Sequence, residues 1–252
     1  MTLETGLLMA KKANRAMPDA AVDVPPEILD VYNVVRASAP RLGDVAEVFP
    51  GVMPRRDSFR RLARPGPQWA PVISADAIRR FYVAEPNMFV RMDRMAVMRL
   101  PKSEEYNQPE KVVLRRVGPP AVAALDHSRC AVYCDAYAIV PVSGILCGYL
   151  TAALNSRVVD FYLNRVRPLA GAPSGAYLRQ VDIEAIPLPV PSLARQREIA
   201  NLAANLAVLN DPVFKERSHE GRLRLEAQIE HAIFRIYGMS SHHIARLAKM
   251  GF

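Results

Sequence analysis

Cysteine is scarce in this chain. Cys130, Cys134 and Cys147 are the only three in 252 residues, and no two form a CxxC pair. An odd, scattered set excludes a disulfide framework and falls short of the ligands of a structural zinc site. Reduced, mostly buried thiols in a cytoplasmic protein are expected instead. No apolar stretch approaches the roughly 20 residues of a membrane-spanning helix, so the membrane is not an expected partner. Lys11, Lys12 and Arg15 are followed by no long apolar segment, which predicts no secretory signal. Histidines are few: His127, His219, His231, His242 and His243. The last two open a basic terminal helix, a place for solvent or a partner rather than a metal. Asp126-His127-Ser128 are chain neighbours, whereas catalytic triads are assembled from separated segments. Asp93, Glu110 and Lys111 have an acid-acid-lysine look without a nuclease's spacing. No catalytic residue, metal or cofactor is therefore expected.

Lysine is missing from the span Pro54 to Arg99, where ten arginines (Arg55, Arg56, Arg60, Arg61, Arg64, Arg79, Arg80, Arg91, Arg94 and Arg99) stand against four acids (Asp57, Asp76, Glu85 and Asp93). The span carries net +6, most of the chain's formal charge of +8. It also holds Phe59, Trp69, Phe81, Tyr82 and Phe89. Arginines interleaved with aromatics fit a nucleic-acid surface, because the planar guanidinium suits phosphates and guanine edges. They fit equally well a solvated basic face over an aromatic core.

Periodicity divides the rest. Residues 1–40 read as a helical arm, with Ile28, Val31, Val34 and Val35 at helical spacing after Pro25-Pro26. Residues 111–141 read as β: Lys111 to Val117, Cys130 to Cys134 and Tyr137 to Val140. From Ser143 to Arg165 apolar residues recur three and four apart, predicting one largely buried helix. A Gly/Pro loop over 167–177 leads to an extended piece, Tyr177 to Asp182. Ile186-Pro-Leu-Pro-Val-Pro191 must be extended, since each proline removes a donor and fixes its path. Ser192 caps a helix to about Leu209, Asp211-Pro212 breaks it, and a second helix runs from Gly221 to Tyr237. Gly238 stops that helix and a short one follows through Lys249.

In this order, Tyr149-Leu-Thr-Ala-Ala-Leu-Asn-Ser156, Ser174-Gly-Ala-Tyr-Leu178, Ile186-Pro-Leu-Pro189 and Arg195-Gln-Arg-Glu-Ile199 resemble the TaqI-like C-terminal specificity domain of adenine-specific DNA methyltransferases. They are also similar to the end of a target-recognition domain in type I restriction-modification specificity subunits. Leu42 to Gly51 resembles the family's opening strand and turn. Pro71 to Phe81 is similar to its segment around the central sheet, Lys111 to Arg116 with Asp135 to Ile139 to its core strand pair, and Gln228 to Gly238 to its Tyr-Gly-ended helix. The structural residues of the motif here are Leu154, Asn155, Ser156, Gly175, Tyr177, Pro187 and Pro189.

The resemblance implies an α+β fold: a target-recognition domain with a mixed, mainly β core over 41–191, then a C-terminal helical hairpin within 192–252. It implies sequence-specific binding of double-stranded DNA. The Asn/Asp-Pro-Pro-Tyr/Phe motif and glycine-rich cofactor turn of the fused enzymes are missing, and Arg195 stands where type I subunits often carry an acid. A non-catalytic specificity subunit follows, partnered by a separate DNA methyltransferase or restriction or phage-defence subunit. A structural adaptor of a defence or mobile-element complex is the other reading. Candidate DNA contacts are Arg55, Arg56, Arg60, Arg61, Arg64, Arg79, Arg80, Arg91, Arg94, Lys111, Arg115 and Arg116. Most would neutralise phosphates and a few would read guanine edges. This requires them to form one positive surface that the chain's own carboxylates leave open. The hairpin would dock on the partner or simply close this domain's core.

Overall fold

Helices cover one face of a central antiparallel sheet and a smaller sheet covers the other. The computed structural model describes residues 23–37, 40–55, 58–61, 66–93, 96–99, 108–169, 177–215 and 219–252. Residues 1–22 of the expected arm lie outside them, as do Gly175, Arg56, Arg64 and Arg94.

Helix α1 (Leu29–Ala37) and the short α2 (Leu42–Val45) precede β1 (Ala46–Pro50), β2 (Met53–Pro54), β3 (Phe59–Arg61), β4 (Trp69–Ile73), β5 (Ile78–Arg79), β6 (Tyr82–Val83), β7 (Met88–Arg91) and β8 (Val97–Arg99). Then come β9 (Lys111–Arg115), β10 (Ala123–Asp126), β11 (Ala131–Val132) and β12 (Ala136–Pro141). The helical part holds α3 (Cys147–Leu154), α4 (Arg157–Phe161), a π turn Tyr162–Val166, α5 (Arg167–Leu169), α6 (Gln180–Glu184), α7 (Leu193–Asn210), α8 (Pro212–Lys215), α9 (His219–Ile236) and α10 (Ser241–Lys249). The mixed α and β architecture with C-terminal helices is the one expected.

The central sheet has the order β1-β12-β9-β10. Alternation sorts its side chains onto two faces. Val112, Leu114, Tyr137 and Ile139 face a core shared with Leu150, Leu154, Ile199, Leu206 and Ile233 of α3, α7 and α9. Val113, Ala124, Ala136 and Ala138 face Ile73, Ile78 and Val132. The second sheet, β11-β4-β7-β3, joins a parallel pair, β11 with β4, to antiparallel neighbours. Gly51 lets the chain cross the turn before β12, since a Cβ there would lie 2.1 Å from the Tyr133 carbonyl oxygen. Gly148 does the same between α3 and α7, where a Cβ would come 2.8 Å from that of Ala200.

The proline-rich segment 186–191 is held by a division of labour. Ile186 and Leu188 bond to the main chain: Leu42 N–H donates to the Ile186 carbonyl at 2.7 Å, and Leu188 N–H to that of Pro40 at 2.8 Å. The odd carbonyls take side-chain donors. Tyr237 Oη reaches Pro187 at 2.7 Å, Tyr149 Oη reaches Pro189, and Gln196 Nε2 reaches Pro191 at 3.0 Å. Alternating prolines thus cost no unpaired acceptor at these positions.

Several elements depart from the sequence reading. Residues 42–45 are helical before β1 begins. The expected helix over 143–165 is broken at Asn155-Ser156, where Ser156 caps α4 through Val159 N–H, and the path then runs on to Leu169. Of Tyr177 to Asp182 only the first three residues are extended, because Asp182 accepts from Arg179 N–H at 3.0 Å and starts α6. Within Cys130 to Cys134 only Ala131–Val132 is strand, and all three cysteines are free, Cys147 buried and the other two half-buried. Strand β10 had no signal in its alanine-rich sequence.

Candidate nucleic-acid interface

One face of the second sheet is largely buried; the other is buried at Ile73 and Val132 against the central sheet and is exposed toward the far ends of β4 and β7. Met88 and Val90 point inward with Val52, Val72, Val97 and Ala131. Their neighbours Phe89 and Arg91 therefore point outward. In register, Arg91 lies opposite Trp69 and Phe89 opposite Pro71, and directly opposed residues share a face. Beyond the buried Ile73, this side of the sheet carries half-buried Trp69 and Phe89 with exposed Pro71 and Arg91. Arg60 takes the register position opposite Phe89, and Arg61 that opposite Met88. Beside it, the β2–β8 ribbon pairs Met53 with Arg99 and leaves Met98 66% exposed. Arg55 is exposed next to that ribbon, its N–H bonded to the Ala96 carbonyl at 2.8 Å. Arg91 pairs with Asp93 at 3.0 Å, both nearly half exposed, a weak contact that a phosphate could replace.

Five further candidate cations, Lys111, Arg79, Arg80, Arg115 and Arg116, bond within the fold. Lys111, expected at the DNA surface, is instead fully buried and pairs with the buried Asp126 carboxylate, its cross-strand neighbour. Asp126 also accepts from Ser128 N–H at 3.0 Å, while His127 sits 3.8 Å from Glu110. No Asp-His-Ser relay exists there. Arg115 donates through Nε to the Ile78 carbonyl at 2.8 Å. Arg79 donates to the Asp76 carbonyl, and Arg116 Nη1 to that of Cys134 at 3.3 Å. Arg80 donates to the Asn155 carbonyl at 2.7 Å and approaches the Glu230 carboxylate at 3.5 Å. Among the described residues the basic set thus divides. Arg55 and Arg91 stand on the ribbon and the exposed end of the sheet, while positions 79–80 and 111–116 are tied to their own fold.

The Asn155 motif is the joint of the molecule. Its amide bonds Ala123 twice, Nδ2 to the carbonyl at 2.8 Å and Oδ1 from the N–H at 3.1 Å, so the helix break is stitched to β10. Glu230 reaches in from α9 and accepts from Arg157 N–H at 3.2 and 3.3 Å. Burial pushes its carboxyl up to about 7, against the pull of that N–H and of Arg80. The Asp160 carboxyl accepts from Ala121 N–H at 3.0 Å and is pushed up to about 6, again mainly by burial. Neither acid was singled out by the sequence, because only long-range packing marks them. Tyr177 of the same motif lies 62% exposed with the Arg116 guanidinium 5.9 Å from its ring. No group of acids, histidines and cysteines suited to a metal occurs among the described residues.

No curated protein matches the chain. Among solved structures, the HsdS subunit from Thermoanaerobacter tengcongensis is similar at 17% identity and a TM-score of 0.47, covering 93% of this chain and 51% of that one. A structure described for complex assembly and conformational transition of the type I R-M system gives 16% identity and a TM-score of 0.46, covering 93% and 52%. The chain spans about half the length of these solved chains. Residues 70–188, from within β4 to the middle of the proline segment, match the family model of the TaqI-like C-terminal specificity domain, the family that the ordered motifs resemble.

Proposed function

We propose that the chain is a non-catalytic subunit that recognises double-stranded DNA by sequence and acts with a separate adenine-specific DNA methyltransferase or a restriction-modification or phage-defence complex. The observation that carries this reading is the specificity-domain match over residues 70–188, which includes the outward Arg91 and Phe89 of the second sheet. Arginine beside aromatic residues on an open β surface suits phosphate contact with groove contact alongside. Arg55 and Arg91 are the leading phosphate contacts in this reading, joined by Arg56, Arg60, Arg61, Arg64 and Arg94. The recognition unit spans 41–191, and the helices of 192–252 give a partner its docking face. The work is cytoplasmic and uses no cofactor. No described helix is long and apolar enough to cross a membrane.

A second reading, an adaptor built for protein contacts, draws on the exposed Val208, Val213, Phe214 and Leu223 around the turn between α7 and α9. Salt separates the two. A DNA reader loses affinity for duplex with a slope of about −0.9 in log K per log salt for each phosphate neutralised. Duplex binding measured from low to high salt, with and without a methyltransferase partner, is the test. Binding that ignores salt, or no binding in either condition, refutes the recognition reading.

A further inference from the structure

We infer that Tyr177 and Arg179 contact the bases of the duplex, Tyr177 through its ring and Arg179 through its guanidinium; this rests on the DNA-recognition reading above. Single exposed aromatics are ordinary on protein surfaces. Tyr177 differs in how firmly it is held. Its main chain bridges antiparallel to Val117, and the next residue is fixed twice. Leu178 N–H donates to the Arg116 carbonyl at 2.7 Å, and the Leu178 carbonyl accepts from buried Tyr137 Oη at 2.9 Å. The ring leans on the Arg116 guanidinium, whose Nε is buried without a hydrogen-bond acceptor. A largely solvent-facing ring is thus ordered before any ligand arrives, and little entropy is lost when a base packs on it.

Arg179 lies two residues on in the extended stretch. Its Nε and Nη2 donate to the two Asp182 oxygens at 2.9 and 2.8 Å, while its side chain stays 46% exposed. The carboxylate sets the plane of the fork, and among the described residues no acceptor takes the outer N–H groups of the guanidinium. Asp182 is itself held by the buried Arg167 at 3.1 Å, so two arginines share one acid and the site keeps a positive surplus. A planar donor fork next to a fixed aromatic ring is suited to a guanine edge with an adjoining base or sugar. The cation also gives the ring favourable support from below.

Selection from a pool of randomised duplexes tests this, comparing the wild-type chain with Tyr177→Ala, Tyr177→Phe and Arg179→Gln. The wild type is expected to select a motif. Tyr177→Ala and Arg179→Gln lose preference at one or two neighbouring positions of that motif and bind the selected duplex about 5- to 150-fold more weakly. Tyr177→Phe keeps the motif. For Tyr177→Ala the salt slope stays as in the wild type, because no phosphate contact is lost. Circular dichroism spectra match across the set, and Tyr177→Phe with Arg179→Gln carries the test if Tyr177→Ala does not fold. An unchanged motif and affinity in the Ala and Gln variants overturns the inference while leaving duplex recognition standing. A wild type that binds duplex in a salt-dependent way but selects no motif overturns the inference together with the sequence-specific part of the recognition reading. A wild type that fails to bind refutes the recognition reading on which the inference rests.

Discussion

Replacing Glu230 by glutamine should make the chain more stable at neutral pH and flatten its pH dependence. The carboxyl ordinarily titrates near 4.5, and burial between α9 and the start of α4 pushes it up to about 7. Between those values the folded chain holds a proton that the unfolded chain has lost. Glu230's favourable contribution is therefore fully present below 4.5 and disappears as pH rises through about 7. Each pH unit of that interval is worth about 1.4 kcal/mol, which integrates to about 3 kcal/mol. Glutamine stays neutral and its amide oxygen can still accept from Arg157 N–H. Urea unfolding at pH 4.5, 6, 7 and 8 should give equal stabilities at the acid end. At pH 8 the variant should lead by about 3 kcal/mol. Asp160, raised to about 6 by burial, gives both proteins a further common decline over its own interval. Parallel pH profiles for the two proteins would refute the assignment of that proton to Glu230.

Three further outcomes are expected. Lys111→Met should cost about 3–5 kcal/mol by leaving Asp126 buried without its cation, and Lys111→Met with Asp126→Leu should recover much of it. Denaturant titration reads both, and the salt slope of duplex binding should not move. Asn155→Ala should lower stability by about 1–3 kcal/mol, since the Ala123 N–H loses its acceptor, and calorimetry checks it. Arg91→Ala should reduce the salt slope by about 0.9 and change stability by less than about 0.5 kcal/mol. A slope equal to the wild type's would remove Arg91 from the interface.

What was legible in the sequence was what depends on neighbours in the chain. Ser192 caps its helix as a side-chain acceptor, and Gly238 ends α9 at a φ of +70°. The alternating prolines read correctly as extended, although the donors that serve their carbonyls come from 40 to 50 positions away in the case of Tyr149 and Tyr237. The break at Asn155 was hidden because apolar spacing continues through it, and the amide's partner, Ala123, lies 32 residues upstream. Phe81 turns the β5–β6 hairpin at a φ of +65°, a conformation for which a buried aromatic residue gives no warning. Charge was the least legible. Arg80 and Arg91 look alike in a basic stretch, and only the Asn155 carbonyl and Glu230, 75 and 150 positions beyond Arg80, tie one of them to the fold.

The stitching of Asn155 to Ala123 has a bearing on solubility. Strand β10 is the last in its sheet, and the rim of a sheet invites a stranger's backbone to add itself. At Ala123 that invitation is withdrawn, because a side-chain amide from the helical layer imitates the missing peptide and Phe81 N–H shares the same carbonyl. A second molecule cannot extend the ladder there without first prying out a helix terminus.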